Sequence, residues 1–114
     1  MGTRGISRDS GLVAETTIGT FNRFKRRYIG KSLIVEGYVE NPRLFGTAIR
    51  FDLVESLRNA NAPVLSKIDV RSTTGAFSTA KSLRGKDRVR LEFRVVKRGA
   101  EAELDVVSLT VLEV

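Results

Sequence analysis

The chain has 114 residues, enough for one domain with a modest core, since a chain of this size buries ~65% of the surface it exposes when unfolded. It contains no cysteine and no histidine, which excludes disulfides, thiolate or imidazole metal sites, thiol nucleophiles and a Ser-His-Asp arrangement. Twenty Lys and Arg against thirteen Asp and Glu give a net charge of +7, a balance that favours polyanionic partners, although a basic surface without such a partner has the same composition.

Residues 1–12 (MGTRGISRDSGL) are rich in Gly, Ser and Arg without periodicity and read as a mobile tail. A flexible basic tail is set at residues 1–14 and a single domain at 15–114. The N-terminus has no apolar h-region and no run approaches a membrane span, so a cytoplasmic location is expected, with nucleoid or nuclear association open.

A helix is predicted over Thr17–Ile29, where Ile18, Phe21, Phe24 and Tyr28 recur at near-helical spacing and Thr16 or Thr17 can cap. Gly30 suits the C′ position and its positive φ. Thr17, Gly19 and Thr20 are weak helix formers, so a strand over Glu15–Phe21 is the alternative. Lys31–Glu40 alternates as a strand, with Gly37 marking a strong bend or a bulge. Asn41–Gly46 (NPRLFG) reads as a turn or loop.

Thr47–Glu55 follows as a strand with Ile49, Phe51 and Leu53 inward and Ala48, Arg50 and Asp52 outward. After the Arg58–Pro63 loop, Val64–Ser72 sets Ile68 and Val70 inward and Lys67, Asp69 and Arg71 outward. A short helix is expected within Thr74–Leu83. Gly85-Lys86-Asp87 then turns into Arg88–Lys97, where Val89, Leu91, Phe93 and Val95 alternate against Arg88, Arg90, Glu92 and Arg94. Arg98–Glu101 reads as a hairpin loop before a last strand, Glu103–Val114. The inward set of that strand changes parity between Val106 and Leu109, which predicts a bulge or burial on both faces.

Two segments carry a resemblance. "YIGKSLIVEGYVE" (Tyr28–Glu40) resembles the helix end, Gly-Lys and glycine-bearing first strand of the oligonucleotide/oligosaccharide-binding (OB) fold. "LRGKDRVRLEFRVVKRG" (Leu83–Gly99) resembles the fourth strand of tRNA-anticodon-like and replication-protein-type OB domains. The resemblance covers about residues 17–114. It implies a mostly β chain: a five-stranded Greek-key OB barrel with an N-terminal helix and a short helix between strands three and four.

The OB ligand face, carried onto this chain, collects Tyr38 from strand one and Arg43 and Phe45 from the first loop. Arg50 comes from strand two, Lys67 and Arg71 from strand three, and Lys97 and Arg98 from the last hairpin. Cations beside stacking rings are what single-stranded nucleic acid requires. The resemblance therefore implies a non-catalytic module for single-stranded DNA or RNA with little sequence specificity, needing no cofactor and no metal. The alternative is a protein-interaction or assembly subunit that docks on an acidic partner or on its own copy.

Each residue has a plainer reading. Phe45 could cap the barrel end, Tyr38 could pack half-buried against the N-terminal helix, and Arg50 or Asp52 could face a cross-strand partner such as Asp69 or Lys67. Asp52 and Asp69 on neighbouring strands are the one pair suited to Mg²⁺, without further carboxylates to complete a nuclease-like site. Arg23–Arg27 (RFKRR) reads as a second phosphate-binding patch, a contact for an acidic partner, or a solvated helix face. Arg88, Arg90 and Arg94 form either a ligand surface or an ion-pair ladder with acids such as Glu92 and Glu103.

Overall fold

The computed structural model describes residues 13–113, and the tail expected over residues 1–12 lies outside them. Val13 and Ala14, counted with that tail, instead belong to β1 (Val13–Glu15), a short strand parallel to the start of β2 and continued by the bond from Thr16 N–H to the Ile34 carbonyl.

The order continues with α1 (Ile18–Arg23), a 3₁₀ turn (Lys25–Tyr28), β2 (Ser32–Phe45), β3 (Ala48–Val54), β4 (Val64–Arg71), α2 (Phe77–Lys81), β5 (Arg88–Arg98) and β6 (Glu101–Glu113). The sheet runs β4-β3-β2-β5-β6 and is antiparallel throughout apart from β1. β2, β3 and β4 form a meander, and β5 returns to lie beside β2. Among the described residues β4 and β6 face each other without a ladder between them, so the sheet curls but is not closed by hydrogen bonds. No helix among the described residues is long and apolar enough to cross a membrane.

The expected single helix over Thr17–Ile29 is two pieces. Thr17 caps α1, its hydroxyl accepting from Thr20 N–H at 3.1 Å, and Ile18 and Phe21 point into the core. The α-geometry stops at Phe24, and Lys25–Tyr28 winds as a tighter 3₁₀ turn. The cause lies just beyond. Gly30 N–H bonds the Val95 carbonyl at 2.7 Å and Val95 N–H returns to Lys31, which draws the chain into β2 before another α-turn can close. Phe21 then meets both Tyr28 (6.0 Å between centroids) and Phe93 (5.2 Å, edge to face). Gly30 takes the positive φ expected of it, +88°.

One core fills the curl, built from Leu33, Val35 and Val39 of β2, Phe51 and Leu53 of β3, Leu65, Ile68 and Val70 of β4, and Val89, Leu91, Phe93 and Val95 of β5. α2 covers one end through Ala80, with Ala76 and Leu83 buried on either side. Glycine at position 37 reflects close packing and not the expected bulge, because the ladder runs through it in register. A Cβ there would stand 2.9 Å from the Val54 carbonyl oxygen and 3.0 Å from Ile18 Cδ1.

The register shifts fall elsewhere. Asn41–Gly46, expected as a loop, is mostly strand. β2 runs to Phe45, with one extra residue between Glu40 and Arg43, where Asn41 adopts φ +53°, and the turn shrinks to Gly46-Thr47. Pro42 sits in that bulge, where its missing N–H breaks no ladder bond. A second shift, at Lys67 (φ +60°), lets Leu65 and Ile68 both point inward, so Val64–Arg71 does not alternate simply. The bulge expected in the last strand is Val107, with a further shift near Leu112.

Candidate nucleic-acid interface

The bulge after Glu40 flips the parity of β2, so Arg43 and Phe45 come to lie on the outward face that Tyr38 and Glu40 occupy before it. Cross-strand register then sets out adjacent rows on β2, β3 and β4. Phe45 faces Ala48, which faces Arg71; Arg43 faces Arg50, which faces Asp69; Glu40 faces Asp52. In this last row the Asp52 carboxylate accepts from Lys67 N–H at 2.9 Å and secures the left-handed residue of the β4 bulge.

The central row is the most organised. Arg50 donates from Nε and Nη2 to the two carboxylate oxygens of Asp69 at 2.6 and 2.9 Å. Its guanidinium carbon lies 3.6 Å from the centroid of the Phe45 ring. Arg50 keeps only 18% of its side-chain exposure, whereas Phe45 remains 51% exposed. Hydrogen bonds to the Asp69 carboxylate raise the Arg50 pKa above the ordinary value, so the stack carries a fixed cation. Phe45 is thus a ring with a cation against it and half of its surface in solvent. Arg43 donates to the Asn41 carbonyl at 2.8 Å and has no acidic partner among the described residues.

The open seam between β4 and β6 forms a cleft of about 830 Å³. Arg50, Lys67, Asp69 and Arg71 contribute to one wall, Arg98 and the Glu101–Val106 segment to the other, with Phe21, Asn22 and Lys25 at one end. Its β6 wall is largely acidic: Arg98 is held by Glu103 at 2.9 Å and Asp105 at 3.2 Å. Lys25, Lys67 and Arg71 have no carboxylate partner among the described residues.

Of the eight residues named from sequence, Arg43, Phe45, Arg50, Lys67 and Arg71 share the β2–β3–β4 face. Arg98 lines the opposite wall of the cleft and is neutralised there. Lys97 is exposed on the β5–β6 hairpin but does not line the cleft. Tyr38 is half-buried where β2 passes from β5 to β3, between Arg88 and Val54.

Asp52 and Asp69 are engaged by Lys67 N–H and Arg50, and no cluster of three potential metal-ligating side chains occurs among the described residues. Arg88 and Arg90 form an ion-pair group with acids from β2 and β1. Glu36 takes both at 2.8 and 2.9 Å, and Glu15 lies 4.0 Å from Arg90. The Arg90 and Arg88 hydrogen bonds hold the Glu36 carboxyl below its usual range against the opposing effect of burial.

Sequence reasoning did not place Lys25 in the cleft. It belonged to the Arg23–Arg27 run, and nothing local shows that α1 delivers it beside β4, as the bond from Asn22 Nδ2 to the Val64 carbonyl does. Leu44 beside Phe45 is 71% exposed, and nothing in its local sequence marks it as a surface residue.

No protein-family model matches the chain, and no curated protein matches it. Solved structures do resemble it. An OBody bound to hen egg-white lysozyme aligns with TM-score 0.59 at 16% identity, over 76% of this chain and 85% of its own. Asparaginyl-tRNA synthetase from Pyrococcus horikoshii aligns with TM-score 0.54 at 21% identity, over 76% of this chain and 20% of its own. A Leishmania major Friedlin protein described as an aspartyl-tRNA synthetase aligns with TM-score 0.60 at 12% identity, over 96% of this chain and 22% of its own. The chain therefore spans about a fifth of either synthetase. At these identities the likeness is one of fold, and the fold is OB-like.

Proposed function

We propose that this protein is a five-stranded Greek-key OB module that binds single-stranded DNA or RNA with little sequence preference and catalyses nothing, working in the cytoplasm or on nucleic acid inside the cell. One observation carries the reading: the Asp69–Arg50–Phe45 stack. A carboxylate fixes a guanidinium against one side of a ring, and the exposed remainder of that ring is a platform for a base. Stacking on such a ring contributes about 1–3 kcal/mol per base and tolerates any base, since every base has a π-face. Arg43 and Arg71 flank the ring in adjacent positions of the ladder and supply charge for the phosphates on either side.

The test is fluorescence polarisation of labelled oligonucleotides across a salt series. Phe45→Ala should weaken binding about 5- to 150-fold with the salt slope unchanged. Arg43→Gln should lower the slope by ~0.7. Absence of binding at low salt, or a Phe45→Ala protein that binds as well as the parent, refutes the reading.

The exposed Leu44 beside Phe45 gives the same hairpin tip a second use, as an anchor for a protein partner. Sedimentation or pull-down that depends on Leu44 and not on Arg43 would favour that reading.

A further inference from the structure

The most concentrated unneutralised charge lies away from the Phe45 platform. Arg23, Lys25, Arg26 and Arg27 crowd the end of α1 and the 3₁₀ turn, all exposed, and none has a carboxylate partner among the described residues. Their contacts are with rings and backbone. The Arg23 and Arg27 guanidiniums lie 5.9 and 5.0 Å from the centroid of Phe24, Lys25 Nζ lies 5.8 Å from that of Phe21, and Arg26 reaches the Ala100 carbonyl at 3.5 Å. Such contacts orient the cations without cancelling them. Four like charges in five residues repel one another, a cost that an anion would relieve.

β4 connects this turn to the platform. Its first residue, Val64, accepts the hydrogen bond from Asn22 of α1, and its last, Arg71, faces Ala48, which in turn faces Phe45. Lys67 lies between, and it lines the cleft together with Lys25 and Arg71. A strand of this length spans ~23 Å. The cations without acidic partners along β4 thus run from the platform to the turn, while the β6 side of the cleft is acidic and repels phosphate.

Resting on the nucleic-acid reading above, we propose that the Arg23–Arg27 turn is a second anchor for the sugar–phosphate backbone of the same strand. A single strand whose base stacks on Phe45 would run along β4, past Lys67, and deliver its next phosphates to Arg23, Arg26 and Arg27. The turn recognises mainly charge, because four of the five side chains at Arg23–Arg27 are exposed cations.

The experiment compares oligothymidylates of about 4 and 12 residues, which bracket most of the range of OB site sizes, on the full chain and on an Arg23→Gln/Arg26→Gln/Arg27→Gln variant. On the longer oligomer the variant's salt slope should fall by ~2, so that it binds roughly 100-fold more weakly at 0.1 M salt and converges on the parent toward 1 M. The short oligomer, held at the platform, should bind both proteins alike. The Arg→Lys triple variant should recover the longer-oligomer affinity, and equal melting temperatures exclude a folding defect. Parental affinity and slope in the Gln variant on the longer oligomer would overturn the second anchor while Phe45-dependent binding stands; failure of the parent to bind either oligomer would overturn both. If polyglutamate of equal charge displaces the oligomer from the parent as well as unlabelled oligomer does, the turn is a site for acidic protein and the proposal falls.

Discussion

Asp69 is the one residue of the platform whose removal separates geometry from charge by the sign of the effect. Asp69→Asn keeps the side chain's size, raises the net charge by one, and leaves one amide oxygen where two carboxylate oxygens accepted from Arg50. A hydrogen bond to a charged group contributes about 1.5–3 kcal/mol when buried. With Arg50 18% and Asp69 37% exposed, solvent screens the pair, so only a small stability loss is expected. The larger consequence is for Phe45. Its contact with the guanidinium is worth about 0.5–1 kcal/mol at an exposed site, and without the carboxylate Arg50 is free to turn toward solvent or a phosphate. If Asp69 only tempers a basic surface, removing it tightens binding and steepens the salt slope by up to ~0.7. If it orients the stack, affinity for a short oligomer falls although the protein has become more positive. The assay is fluorescence polarisation with a roughly four-residue oligothymidylate at two salt concentrations. Tighter short-oligomer binding by Asp69→Asn would refute the platform.

Two further predictions concern the scaffold. Gly37→Ala places a Cβ 2.9 Å from the Val54 carbonyl oxygen, a backbone atom beside the Tyr38–Val54 pair that cannot step aside; overpacking should cost about 1–3 kcal/mol. Thermal melts should show a drop of roughly 4–8 °C per kcal/mol, against little change or a small gain for Gly85→Ala, where nothing lies within 4 Å; an unchanged Gly37→Ala melt refutes the packing argument. Glu36 has its folded pKa lowered by Arg90 and Arg88, so its contribution is present above the ordinary value of 4.5 and is lost as pH falls through the folded value. Denaturant melts between neutral pH and pH ~3 should therefore show a shallower acid-side loss of stability for Glu36→Gln than for the parent, and identical slopes would contradict this.

The legible parts of the fold were those with a strict period. Arg88–Lys97 alternates without interruption and forms β5 within one residue of the expected end, because each Val, Leu or Phe on one face meets the single core. The parity change after Val106 announced a bulge, and Val107 is the extra residue. Local chemistry misled where tertiary pairing overrode it. Asn-Pro at 41–42 reads as a turn, yet the long β2–β3 hairpin continues past it, since a bulge accommodates both the positive φ and the missing N–H. Lys67 gave no local sign of a left-handed residue, and only the Asp52 carboxylate on the neighbouring strand shows what secures it. The candidate site was legible as a list of cations and not as a distribution of charge. The plainer reading of Arg50, a charge facing Asp69 across the ladder, is the pairing that forms, whereas the neutralisation of Arg98 by Glu103 and Asp105 depends on how the β5–β6 hairpin brings them together.

The Asn41 bulge links these observations. Without the extra residue, strict alternation from Tyr38 and Glu40 would turn Pro42 and Leu44 outward and send Arg43 and Phe45 toward the core side. The one-residue shift reverses that, places Arg43 opposite Arg50, and brings Phe45 over the guanidinium. Two arginines facing each other across a ladder repel, and the pair persists because Asp69, on the strand beyond, holds one of them. The acid in this basic face therefore makes room for a second cation: Arg50 is held against the ring, and Arg43 keeps its charge without an acidic partner among the described residues.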